Sequence, residues 1–197
     1  MPNTLSDAKA SIERFTEEAL CCAACELGFA ALLTAFAVLL AVEEAVLTTS
    51  RVDDLIEGFV PAMKSKNRWF HSPVATPTDQ VIAGALVELR NALAHELSMP
   101  TGIKMVNTAS QAATAQQQWP GSYVVSVVEF VEDVGATALA IVAANPNAVM
   151  DPSQAGRLQR GSISMPRSPA KQEDLFDKTS GSSSTWLSLI PSKRARA

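Results

Sequence analysis

The stretch LGFAALLTAFAVLLAV, residues 27–42, would be apolar on nearly every side of a helix, and it decides the class of fold. A helix that is hydrophobic all round lies at the centre of a protein or spans a membrane. A membrane span needs about 20 apolar residues, whereas this run has 16 and ends against Glu43 and Glu44 without flanking Lys or Arg. We therefore expect the central helix of a bundle, with a small membrane-associated protein as the alternative.

Helical spacing of apolar residues continues on both sides of this stretch, in a chain that is 47% hydrophobic and only 6% aromatic. The pattern predicts an all-α bundle of four to five helices. The helices are expected at about 6–26, 29–47, 50–60, 79–98 and 122–145. The last segment is rich in valine and also fits a strand, but its length and the spacing of Val125, Val128, Val131 and Val134 favour a helix. Residues 101–121 form a connection that the pattern does not assign.

Charge divides the chain into two parts. Residues 1–150 carry 8 Lys and Arg against 16 Asp and Glu, a net charge of −8. Residues 151–197 carry 8 against 4, a net charge of +4, and are rich in Ser, Pro and Gly. We expect a helical domain over 1–150 and a disordered basic tail over 151–197. An acidic surface does not attract nucleic acid through its bulk field, so RNA binding would depend on a local site and on the tail.

Three cysteines, Cys21, Cys22 and Cys25, cluster within five residues. Their odd number does not make a disulfide framework, and no further Cys or His stands nearby to complete a zinc site. We expect them to pack in the core of a cytoplasmic protein. No metal site, no cofactor and no secretory signal are predicted.

The segment ELRNALAHEL, residues 88–97, places Arg90, Asn91 and His95 within six positions. The predicted helix that contains this segment has one apolar stripe that faces the bundle, formed by Ile82, Leu86, Leu89, Leu93 and Leu97. Asn91 and His95 are four positions apart and are therefore neighbours on another face, which the Arg90 side chain can reach. Glu88 flanks the group. His can transfer a proton near neutral pH, and Arg can bind a phosphate and stabilise its developing charge.

The face that carries Asn91 and His95 is small and nearly uncharged. It consists of Gly84, Val87, Asn91, Ala94 and His95. A two-fold homodimer would bury such a self-complementary patch and bring two copies of the motif into one groove. The alternative is that residues 101–121 or the final helix cover this face within one chain.

One basic and aromatic cluster lies in the otherwise acidic part of the chain. It consists of Lys64, Lys66, Arg68, Trp69 and Phe70, in a segment expected to be a loop over 64–78. This cluster is a candidate contact for RNA or for a partner, and together with Glu88 it completes the candidate substrate-binding residues. The alternative is a solvated loop with its aromatic rings packed onto the bundle. The second histidine, His71, is expected at the surface without a role.

Arg90, Asn91 and His95 form an Arg-Asn-x-x-x-His pattern that follows two long apolar helices, and this combination resembles the HEPN superfamily. The resemblance covers roughly residues 5–147 in architecture and six residues in motif. It implies an all-α dimer that cleaves RNA without a metal or cofactor, with Arg90, Asn91 and His95 as catalytic residues. Such proteins act in toxin–antitoxin, abortive-infection or CRISPR defence, which suggests an antitoxin or nucleotidyltransferase partner and a cytoplasmic location without membrane attachment. Other members are inactive modules for dimerisation or for binding a nucleotide or partner.

Overall fold

The structure is mainly helical, as the sequence predicts. It is a computed structural model, and it describes residues 5–46 and 51–145. In chain order the elements are α1 (Leu5–Ala24), α2 (Gly28–Val46), α3 (Val52–Phe59), α4 (Lys66–Trp69), β1 (Phe70–His71), α5 (Asp79–His95), β2 (Ile103–Val106), α6 (Ala112–Gln118), β3 (Tyr123–Ser126) and α7 (Val127–Ala144). Five of these helices have at least eight residues within the described ranges. The predicted tail, 151–197, lies outside the described residues.

The helices α1, α2 and α7 pack against one another and form the centre of the fold. The predicted central helix corresponds to α2, whose buried residues include Leu32, Phe36 and Leu39. Within the described residues, α2 is also the one helix long and apolar enough to cross a membrane, a test that the core helix of a soluble protein passes too. Its packing against α1 and α7 is the environment that its apolar sides require.

The turn between α1 and α2 is held by backbone hydrogen bonds typical of a Schellman motif. Leu27 N donates to Cys22 O at 2.9 Å, and Glu26 N donates to Ala23 O at 3.0 Å. Glu26 takes a left-handed conformation with φ of 60°, at the position where most such motifs have glycine. The next residue, Gly28, is buried, and a Cβ atom there would lie 2.8 Å from the Met105 side chain. The turn therefore brings the start of α2 against β2.

The predicted core position of the three cysteines is wrong for two of them. Cys21 and Cys25 are exposed, and Cys22 is half-buried, with its thiol pKa raised chiefly by burial. The buried positions in this part of α1 are occupied by alanine instead, at Ala19 and Ala23, which are fully buried. The small alanine side chains let the helices approach closely.

The structure contains a three-stranded sheet that the sequence did not predict. Its strand order is β1-β3-β2, with β1 antiparallel and β2 parallel to β3. Residues 101–121 supply β2 and α6, and the valine-rich segment predicted as one helix is divided into β3 and α7. Val124 and Val125 are fully buried in the strand. The segment β2-α6-β3 is therefore a parallel crossover unit.

The helix α5 agrees with its predicted stripe except at the end. Thr78 caps its start by accepting a hydrogen bond from Val81 N at 3.4 Å, and Ile82, Leu86, Leu89 and Leu93 are buried. The helix ends at His95 rather than near Ser98. Leu97, which the stripe places in the core, is 71% exposed and left-handed with φ of 49°. The left-handed backbone at Leu97 turns the chain away from the axis of α5, and the Leu97 side chain therefore does not reach the core.

Candidate functional site

Arg90 and Asn91 are in direct contact on α5. Arg90 Nη1 donates a hydrogen bond to Asn91 Oδ1 at 3.0 Å, and both side chains are half-buried. The buried residues Leu89 and Leu93 fix the rotation of the helix, which leaves the two polar side chains at its border with solvent. The Nη1 atom of Arg90 thus donates to Asn91, while the other N–H groups of the guanidinium remain able to bind an anion.

His95 is the last residue of α5 and is exposed. It follows Asn91 by one helical turn, which places both on the same side of the helix. Within the described residues, His95 has no hydrogen bond or ion pair. Glu88, two residues before Arg90, is exposed.

Among residues 5–46 and 51–145, no element covers the face predicted for dimer contact. A Cβ atom built on Gly84 would meet nothing within 4 Å. Ala94 and His95 are exposed, while Val87 and Asn91 are half-buried at the border of the core. Residues 101–121 contribute to the sheet instead of covering this face, and α7 packs against α1 and α2. Homodimerisation remains a prediction.

The structure does not bring the basic and aromatic cluster together as one surface. Trp69 is fully buried, and its Nε1 donates to Asp133 Oδ2 at 2.8 Å. Phe70 is also buried. These two rings fill the core beside Phe130, at 5.0 Å between the ring centroids of Trp69 and Phe130. The prediction that Trp69 binds substrate is therefore wrong. Of the predicted loop over 64–78, residues 66–71 form α4 and β1, whereas residues 72–78 are irregular as expected.

The three basic side chains of that cluster have different environments. Lys66 Nζ lies 2.6 Å from Asp79 Oδ1 and also donates to Val60 O at 3.2 Å. Its charge is therefore paired within the chain. Arg68 is exposed and 4.0 Å from Glu132, and Lys64 is exposed. Lys64 and Arg68 are the members of the cluster that remain accessible to an anionic ligand.

His71 is not the surface histidine that the sequence suggests. It is half-buried on β1, and its Nε2 lies 3.1 Å from Ser126 Oγ. Burial lowers its pKa below the ordinary 6.5, while a hydrogen bond to the Arg68 backbone and the Glu129 carboxylate act in the opposite direction. Ser126 is fully buried. A histidine beside a serine can act as a general base, but here no substrate reaches the hydroxyl, so the pair stabilises the sheet.

A second candidate site is an open cleft of about 530 Å³ at one edge of the sheet. Asn107 and Val127, the residues that follow β2 and β3, both line it. Glu26 from the α1–α2 turn and the half-exposed Trp119 at the end of α6 contribute from two other parts of the chain. The sequence gives no sign of this site, because its residues are distant in the chain and two of them follow strands that the apolar pattern does not predict.

Within residues 5–46 and 51–145, no three His, Cys, Asp or Glu side chains form a group that could hold a metal ion. The comparisons with protein-family models, with curated proteins and with solved structures give no match to this chain. Arg90, Asn91 and His95 on α5 and the cleft beside the sheet are therefore the features of this chain that bear on its function.

Proposed function

We propose that this protein is a metal-independent endoribonuclease of the HEPN type, acting in the cytoplasm in defence or growth control. The observation that carries the proposal is the placement of Arg90, Asn91 and His95 along the open border of one helix, with Arg90 and Asn91 in contact at 3.0 Å. Between them the three side chains provide proton transfer, anion binding and positioning. These are the functions that cleavage of an RNA phosphodiester requires.

In this reaction His95 takes the proton of a ribose 2′-hydroxyl, whose oxygen then bonds to the adjacent phosphorus. The bond from phosphorus to the 5′-oxygen breaks, and that oxygen receives a proton from the His95 of a second copy of the chain. Arg90 stabilises the charge on the phosphorane-like state, and Asn91 orients Arg90 through the hydrogen bond that they share. The products carry a 2′,3′-cyclic phosphate and a 5′-hydroxyl. Single-site acid–base catalysis typically contributes 10²–10⁴-fold.

A homodimer through Gly84, Val87, Asn91, Ala94 and His95 would bring the two histidines into one groove. Sedimentation of the wild type at tens of micromolar tests this arrangement, since an interface of standard size holds at that concentration. Ala94→Glu should convert the dimer to a monomer. Ala136→Glu, the same change at an exposed position on α7, should leave it unchanged. A monomeric wild type would contradict the paired site.

The second candidate function is a non-catalytic module that binds a nucleotide, an antitoxin or a nucleotidyltransferase through the same face of α5. The acidity of residues 1–150, with 16 Asp and Glu against 8 Lys and Arg, favours it, because such a surface repels RNA at long range. Expression in a bacterial host separates the two functions. Growth arrest by the wild type together with normal growth of a His95→Ala strain supports the ribonuclease, and equal growth of both strains supports the module.

A further inference from the structure

The cleft at the edge of the sheet lies where parallel crossover units bind ligands. Val106 pairs with Ser126 at the carboxyl ends of β2 and β3, and the next residues, Asn107 and Val127, line the cleft. In open parallel sheets, ligands bind in the crevice outside the carboxyl ends of the strands. The volume of about 530 Å³ is within the range of small-molecule sites.

The apolar part of the cleft is suited to a flat ring. Met105, Ala115 and Val127 line it, and the indole of Trp119 forms part of its wall. Trp119 is 41% exposed, although it is one of the largest apolar side chains among the described residues. An exposed indole beside a cleft offers a face on which an aromatic ligand can stack.

The polar part of the cleft is almost uncharged and rich in carboxamides. Asn107, Gln111 and Gln118 line it together with Ser110 and Thr114. Gln111 Oε1 accepts from the backbone nitrogens of Asn107 and Thr108, at 2.9 and 3.2 Å, so its amide hydrogens are the groups left to donate to a ligand. Carboxamides pair well with nucleobase edges, which present donors and acceptors side by side.

Glu26 is the one ionisable residue that lines the cleft within the described residues. It has a left-handed backbone with φ of 60°, where glycine would fold more favourably. A non-glycine residue at this position therefore costs stability, and within the described residues Glu26 makes no ion pair that would offset the cost. A carboxylate that accepts hydrogen bonds from ribose hydroxyls is a common means of nucleoside recognition. Lys104 does not line the cleft, but its Nζ lies over the Trp119 ring, 5.9 Å from the ring centroid, and is the nearby cation that a 5′-phosphate on a stacked nucleoside could contact.

We propose that this cleft binds a ribonucleoside unit, with the base stacked on Trp119, its edge hydrogen-bonded to Gln111 and Gln118, and the ribose held by Glu26. The site is separate from Arg90, Asn91 and His95 and does not depend on the proposed ribonuclease activity. A ligand of this size that fills its site binds with a Kd on the order of 0.1 mM.

The test is a titration of the full chain that carries the background change Trp186→Phe. Two tryptophans then remain, Trp69, which is fully buried, and Trp119, which is 41% exposed. The probes are adenosine, guanosine, cytidine and uridine, their 5′-monophosphates, and ribose 5-phosphate as the control without a base. We expect saturable quenching of tryptophan fluorescence by at least one nucleoside and none by ribose 5-phosphate. Tighter binding of the monophosphate than of its nucleoside would identify a free nucleotide as the ligand and Lys104 as its contact. Equal affinity of the two would identify the nucleoside.

Two variants with matched controls decide the assignment. Trp119→Ala lacks the reporting indole, so its affinity is measured by isothermal titration calorimetry beside the wild type, and it should weaken binding at least tenfold. Glu26→Gly should weaken it about fivefold and raise the melting temperature by about 3 °C, because glycine relieves the left-handed backbone. Leu97→Gly gives the same relief at φ of 49° on α5 and should stabilise the fold with binding unchanged, and His95→Ala should also bind normally. The proposal is overturned if no nucleoside binds the folded wild type at about 10 mM, or if Glu26→Gly is stabilised but binds like the wild type.

Discussion

Trp69 and Asp133, 64 positions apart, are joined by a buried hydrogen bond of 2.8 Å from the indole Nε1 to Oδ2. The same oxygen accepts from Ser65 N at 3.0 Å. Asp133 is 5% exposed and Trp69 is fully buried. This one carboxylate therefore fixes α4 against α7, and through β1 it sets the position of the sheet.

Replacing Asp133 by Ala should destabilise the protein by about 2–4 kcal/mol. The change leaves the buried indole N–H of Trp69 and the partly buried N–H of Ser65 without a partner, and an unsatisfied buried group costs about 1–3 kcal/mol. Chemical denaturation followed by circular dichroism measures the loss. Asp133→Asn retains an acceptor oxygen and should lose less than half as much. Equal losses for Ala and Asn would show that the bond to Trp69 is unimportant.

The contact between Gly135 and Thr16 joins α7 to α1. A Cβ atom on Gly135 would lie 2.6 Å from Thr16 Oγ1 and 2.7 Å from its Cγ2. Gly135→Ala should therefore cost about 1–3 kcal/mol, even though alanine is the better helix former by about 1 kcal/mol. Thr16→Ala removes both atoms and should restore most of the loss in the double variant, which urea unfolding of the four proteins measures as a coupling energy.

Gly84→Ala is the control for that experiment, because a Cβ atom on Gly84 would meet nothing within 4 Å. It should stabilise α5 by up to about 1 kcal/mol. The unfolding is measured at a concentration below that of the sedimentation test, so that association does not contribute. Additive effects of Gly135→Ala and Thr16→Ala would contradict the close contact.

Glu43 is a buried carboxyl on α2, 6% exposed, and within the described residues its Oε2 has no hydrogen-bond partner. Burial raises its pKa above the ordinary 4.5. The folded state therefore binds this proton more tightly than the unfolded state. The stability that results is complete below the unfolded pKa and is lost as the pH rises through the folded pKa.

Glu43→Gln should be more stable than the wild type by about 1 kcal/mol at pH 7, since it replaces a buried ionised group by a neutral one of the same shape. The difference should shrink as the pH falls toward 4. Melting temperatures measured from pH 4 to 8 test both statements. Glu17→Gln, at an exposed position on α1, should show no such trend. A Glu43→Gln protein that is less stable at pH 7 would mean that the carboxylate has a stabilising partner.

Patterns within single helices made much of the fold predictable. The spacing of Ile82, Leu86, Leu89 and Leu93 gives the buried side of α5, because residues three or four apart share one side of a helix. The same reasoning failed at Val125, which belongs to a strand of four residues that leads directly into α7. A run this short carries too few residues for its period to be recognised, and its pairing partners are distant in the chain.

The two candidate sites differ in predictability for the same reason. Arg90, Asn91 and His95 are neighbours in sequence, so a helix alone brings them together. The basic neighbours of Trp69 in the sequence predict that its ring contacts a ligand. In the structure its indole Nε1 donates to Asp133, which lies on α7 and is distant in the chain. The cleft combines residues from the α1–α2 turn, β2 and α6, and tertiary contacts of this kind leave no local pattern.

Incubation of total RNA with the purified chain in EDTA tests the central claim most directly. The wild type should produce fragments with 2′,3′-cyclic phosphate and 5′-hydroxyl ends, and His95→Ala should lose at least about 10²-fold in rate, the lower range for a general acid or base. His71→Gln changes the other histidine of the chain and, once its helical content is verified, should cleave like the wild type. Cleavage at the wild-type rate by a folded His95→Ala protein, or no cleavage by the wild type, would contradict the account.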